Sequence, residues 1–150
     1  MYLLQELLSN SILIAGVCAW LAAQVLKTII HAVMNRRLDL HRLVGDGGMP
    51  SGHSATVSAV ATMCALTCGA DSAVFAVSAI LAIITCHDAM NARQEIGKQA
   101  VVLNKLIQDM LEGEGSPETV LEEFVGHTPF QVCAGILLGV LVASAMYLMR

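Results

Sequence analysis

At 150 residues the chain makes a single domain, with 56% hydrophobic residues, 13% charged residues and a net charge of −4. A mean hydropathy of +0.69 excludes an ordinary soluble domain, in which about a quarter of the residues are charged. The cysteines at 18, 64, 68, 86 and 133 are odd in number, form no C-x-x-C pair and lie inside apolar segments, so neither a disulfide framework nor a zinc site is indicated.

Met1 to Leu8 has no basic region and no small-residue cleavage site follows it, so no secretory signal is expected. Residues 1–10 read as a short amphipathic lead. Ser11 to Met34 is an apolar run interrupted by Gln24, Lys27 and His31, long enough to cross a bilayer with some tilt. A basic connector, Asn35 to Arg42, leads into Gly47-Gly48-Met49-Pro50-Ser51-Gly52-His53-Ser54. Ser54 to Ala70 is a second apolar run built of Ala, Ser, Thr, Val and Cys, small residues that let membrane helices approach closely. Gly69 to Ser72 is a tight reversal. The third run, Ala73 to Cys86, would be about 21 Å long as a helix; it spans the hydrocarbon core only if it continues past His87 and Asp88.

Ala89, Ala92, Ile96, Ala100, Leu103, Ile107 and Met110 recur at steps of three and four, the pattern of an amphipathic helix. Gly113-Glu114-Gly115 ends it, and Ser116-Pro117-Glu118 opens a short helix whose acidic residues form a solvated face. Thr128-Pro129-Phe130-Gln131 is a capping-box pattern with proline at the first helical position. It begins a fourth apolar run, Val132 to Met149, in which Gly135-x-x-x-Gly139 predicts close packing within the bundle. The chain is therefore expected to be all-α: a multi-pass transmembrane bundle of about four membrane helices plus an amphipathic one.

Four crossings place the connector 35–53 and the segment 88–128 on one side of the membrane. Arg36, Arg37, Arg42, Arg93, Lys98 and Lys105 all fall there, while Arg150 falls on the other side, so the first side is read as cytoplasmic. His53 and His127 reach the same face, each at or just before a helix start. A glycine-rich turn entering a helix leaves backbone N–H groups pointing one way, a ready site for phosphate, and an imidazole beside it carries protons near neutral pH. Such a pair suits a phosphate ester: one imidazole attacks phosphorus, the other protonates the leaving oxygen, and cations hold the remaining oxygens. Simpler readings stand beside these. Lys27 can snorkel to headgroups, Arg36 can be topogenic, Gln131 can be a cap, and His87 with Asp88 can be a membrane-edge pair.

Met49 to Ser54 resembles the PSGH motif of the PAP2 superfamily of lipid phosphatases and vanadium haloperoxidases. His127 to Gly135 resembles its closing motif, in which an acidic residue follows the histidine by four. Gly48 to Ser54, Asp88 to Asn104 and Gly126 to Pro129, in this order, look like the divergent PAP2 branch of small membrane proteins. The resemblance implies a phosphatase acting on a lipid phosphate or small phosphomonoester through a phosphohistidine, without metal. His127 would be the nucleophile, His53 the general acid, and Gln131 would stand where the family has its histidine-orienting acid. Lys27, Arg36, Ser51, Gly52 and Arg93 would bind phosphate. No cofactor is implied, although phosphate or vanadate could occupy the site; membrane lipids and the phosphorylated substrate are the expected partners, with no nucleic acid. The sequence departs from the family in the Lys27–Arg36 spacing, in the distance of Arg93 from His127, and in the neutral Gln131. The alternatives are a non-catalytic membrane protein that keeps the phosphate pocket and a lipid phosphotransferase. The side assignment predicts that a cysteine placed at 112–118 reacts with a membrane-impermeant maleimide only after the membrane is opened; labelling from outside intact cells would overturn it.

Overall fold

The computed structural model describes residues 2–36, 48–110 and 128–150, so the expected short helix after Ser116 lies outside the described residues. The described residues form α1 (Tyr2–Ser9), α2 (Ser11–Asn35), α3 (Gly52–Cys68), α4 (Ala73–Met90), α5 (Ala92–Met110) and α6 (Pro129–Leu148). Local chemistry sets their boundaries. The Asn10 side chain accepts from the N–H groups of Ile12 and Leu13, each at 3.1 Å, and starts α2. The Ser72 hydroxyl accepts from Phe75 N–H at 3.1 Å and starts α4 after the Gly69 reversal. As the third apolar run required, α4 continues through His87 and Asp88 to Met90, which gives a helix about 27 Å long.

Among the described helices α2, α4 and α6 are long and apolar enough to cross a membrane. The fourth member, α3, has 17 residues and occupies the centre, packed against α2, α4 and α6. Its neighbours shield it from lipid, so it tolerates a composition that a lipid-facing helix would not. Its hydroxyls are satisfied locally: Thr56, Thr62 and Thr67 donate to the carbonyls of Gly52, Ser58 and Met63 at 2.8, 2.7 and 2.7 Å. Large apolar side chains sit instead on outer faces, such as Val77, Ile80, Leu81, Ile83 and Ile84 of α4.

Small residues let the backbones close on one another. Ala15, Ala19 and Ala23 of α2 meet Ala55, Ala59 and Met63 of α3 and Ala143 of α6 in one buried cluster. Gly135 and Gly139 carry the α3–α6 contact. A methyl group at Gly135 would come 2.5 Å from the Ser51 carbonyl oxygen, and one at Gly139 would collide with the Ala55 carbonyl and lie 2.9 Å from the Ala59 nitrogen. This pairing, 135 with 51–55 and 139 with 55–59, makes α6 run parallel to α3. At the far end the Arg150 guanidinium donates to the Ser11 hydroxyl at 3.3 Å, joining the last helix to the start of α2.

The ends therefore sort into two groups. The C-termini of α2 and α4 and the N-termini of α3 and α6 share one end with the Gly48–Ser54 turn; the start of α2, the 69–72 turn and Arg150 share the other. Gly139→Val is expected to lower stability by about 3 kcal/mol or prevent folding, because the clash is with backbone. Unchanged thermal unfolding of that variant in detergent would contradict the α3–α6 packing.

Candidate functional site

The turn before α3 is held from several directions. Gly48 has φ 85°, a conformation that favours glycine, and the peptide bond Met49–Pro50 is cis. Ser51 is the N-cap of α3. Its hydroxyl oxygen accepts from the Ser54 hydroxyl at 3.0 Å and from Ser54 N–H at 3.4 Å, and both serines are fully buried. Both lone pairs of that oxygen are thus used inside the turn. Ser51 fixes the shape of the turn first, and the N–H groups that begin α3 are presented beside it. Gly52 is buried and provides the first of these, with the Trp20 ring of α2 as its cover: a methyl at Gly52 would lie 3.6 Å from that ring.

Lys27 reaches the same turn from α2. It is only 5% exposed, and its Cγ and Cδ would stand 3.2 and 3.4 Å from any methyl added at Gly48. A buried ammonium inside a membrane bundle is costly, which makes Lys27 a candidate for holding an anion. His53 is the second residue of α3 and is exposed. Ser51, Gly52, His53 and Lys27 are therefore brought to one end of the bundle by a turn and a helix face.

The start of α6 is joined to this turn directly. Thr128 Oγ1 accepts from Gln131 N–H at 3.4 Å and Gln131 Oε1 accepts from Thr128 N–H at 3.1 Å, which completes the capping box. The Gln131 backbone carbonyl accepts from Ser51 N–H at 3.1 Å. One residue thus holds two turns. Its side chain fixes the amide that joins residues 127 and 128, and its carbonyl fixes the residue two before His53. His127 itself lies outside the described residues.

Arg36 stands apart from this joint. Arg36 is the exposed C-cap of α2 with φ 52°, nine residues and about 13 Å of helix rise beyond Lys27. No hydrogen bond among the described residues ties it to the Gly48 turn. Arg93 is on the first turn of α5, a helix that packs on α4 and begins at the same end. Two contributors were missed in the sequence reading: Trp20 as the cover of Gly52, and the backbone carbonyl of Gln131. The first had a signal, since Trp20, Gln24 and Lys27 fall on one helical face; the second had none, because any residue supplies a carbonyl.

The family model of the divergent PAP2 family matches residues 8–142. The chain belongs to that family. An uncharacterized membrane protein, YuiD of Bacillus subtilis (strain 168), is 42% identical over 152 residues, covering 94% of this chain and 96% of its own. No solved structure shows a significant match. Every expected site residue of the divergent PAP2 chain, from Lys27 to Gln131, falls within the matched region. The protein is an integral, multi-pass, all-α membrane bundle of PAP2-related type.

Ser51→Ala removes the cap of α3 and strips the Ser54 hydroxyl of its acceptor. It is expected to cost about 1–2 kcal/mol of stability in the divergent PAP2 chain. The thermal midpoint in detergent measures this, and an unchanged midpoint would show that the cap is not holding the turn.

Proposed function

We propose that this divergent PAP2 protein binds a phosphate group, carried by a lipid phosphate or a small phosphomonoester, at the cytoplasmic end of its bundle. The observation that supports this reading most is the double use of Gln131, which joins the turn before α3 to the start of α6. Around that joint are the N-terminus of α3, whose backbone N–H groups and dipole favour an anion, and the buried Lys27. In a site shielded from water each of these donors acts more strongly on an anion than it would at an open surface.

Catalysis is the finer reading, favoured by the exposure of His53 at the first turn of α3, where an imidazole can reach a bound ester. In it a ring nitrogen of His127 bonds to phosphorus as the ester P–O bond breaks, and His53 gives its proton to the departing alkoxide. Water then hydrolyses the phosphohistidine, releasing phosphate; an alcohol in place of that water would make the protein a phosphotransferase. Gln131 weighs against fast turnover. Its amide is neutral and its oxygen is occupied by the Thr128 N–H, so Gln131 itself offers no negative charge to an imidazolium at His127. Binding is accordingly the primary function proposed.

Two measurements separate the readings. Inorganic phosphate or phosphatidic acid in nanodiscs is expected to bind the wild-type protein and to bind Lys27→Met at least tenfold more weakly; absence of wild-type binding would refute the proposal. Turnover of phosphatidic acid that disappears in both His53→Ala and His127→Ala, with phosphate trapped on the wild type but not on His127→Ala, would add catalysis. Equal turnover in all three proteins would remove it.

A further inference from the structure

The face of α2 that meets the site carries more polar chemistry than a phosphate-binding turn requires. Trp20, Gln24, Lys27 and His31 follow one another at steps of four, three and four, which puts them on one stripe of the helix. The Trp20 ring lies against Gly52 and the Lys27 stem lies against Gly48. Gln24 comes between them on the same stripe of α2. It is only 6% exposed, and its Oε1 is buried without a hydrogen-bond partner among the described residues. Four residues beyond Lys27, Nδ1 of His31 is buried and likewise has no hydrogen-bond partner among the described residues. Thr28 cannot serve Gln24, because its hydroxyl donates to the Gln24 backbone carbonyl at 2.9 Å.

An amide oxygen left without a donor is unfavourable anywhere, and the more so inside a membrane bundle, where bulk water is not at hand. A methionine of nearly the same shape would avoid that cost. The position of the oxygen supplies a reason to keep it. Among the described residues the buried cation and the backbone groups at this end, the Lys27 ammonium and the N–H groups beginning α3, are donors. Donors alone hold any tetrahedral oxyanion. An acceptor among them distinguishes one that carries a hydrogen.

We propose that Gln24 is a specificity-determining residue of the phosphate site, its Oε1 accepting the P–O–H of a protonated phosphate. This rests on the phosphate-binding reading above and narrows it to inorganic phosphate or a singly protonated phosphomonoester. Sulfate is disfavoured, since it has the same tetrahedral shape and full negative charge but no hydrogen to give.

The test uses the purified full-length protein at about pH 6, where a phosphomonoester is partly protonated. Calorimetric titrations with inorganic phosphate, methyl phosphate and sulfate are run on wild type, Gln24→Met and Gln24→Asn, the last retaining the amide one methylene short. Nanodiscs containing phosphatidic acid distinguish a lipid source from free phosphate. Wild type is expected to prefer both phosphates over sulfate at least tenfold. In both variants phosphate affinity falls to the sulfate level while sulfate affinity holds, and the ligand-free melting temperature of Gln24→Met is equal or higher. The proposal is overturned if either folded variant keeps the preference, if the variants lose both anions equally, or if Gln24→Met melts lower or fails to fold. Wild type binding sulfate and phosphate alike overturns this inference and leaves the phosphate reading intact. Wild type binding none of these anions, free or in lipid, overturns both.

Discussion

The hydrogen bond from Ser51 N–H to the Gln131 carbonyl is the constraint on which the site depends. Helix starts leave backbone N–H groups without partners, and at the edge of a membrane bundle each of them needs an acceptor. Here one such need is met by the first turn of a helix that lies far away in sequence. The bond is possible only because α6 approaches α3 closely, and it does so because Gly135 and Gly139 have no side chain to hold the backbones apart. The Gln131 side chain then caps its own helix through Thr128. Close packing, capping and convergence of the two family motifs are thus parts of one arrangement.

The central position of α3 follows from the same chemistry. A helix of Ala, Ser, Thr and Cys has too little apolar bulk to face lipid on all sides, but it can be approached closely on all sides. Wrapped by α2, α4 and α6, it delivers its N-terminus to a place where a buried cation already stands on α2. Burial makes Lys27 expensive, and burial also strengthens its hold on any anion brought next to it. Polar groups that would be penalised on a lipid-facing helix collect on the α2 stripe that faces α3.

Much of this was legible in the sequence. The start of α6 could be placed from Thr128, Pro129 and Gln131, because capping depends on side chains at fixed spacing. The continuation of α4 followed from comparing the length of an apolar run with the thickness of a bilayer. The Gly135-x-x-x-Gly139 spacing announced a close helix contact without naming the partner. The Ser51–Gln131 bond was not legible, since backbone groups are the same at every residue. Arg36 shows another limit. The family resemblance paired it with Lys27 despite a spacing that departs from the family, and α2 ends there, leaving Arg36 exposed in a left-handed cap, a boundary that composition does not mark. Gln24 and His31 interrupted an apolar run visibly, but only the packing of Trp20 and Lys27 on the turn tells which way that stripe faces.

The helix starts of α3 and α6 meet at one membrane face. Electron–electron distances between nitroxides at positions 53 and 128 of the protein in nanodiscs are expected to form a narrow distribution well inside the roughly 30 Å thickness of the hydrocarbon core. A distribution at or beyond that thickness would put the two helix starts on opposite faces and contradict this arrangement.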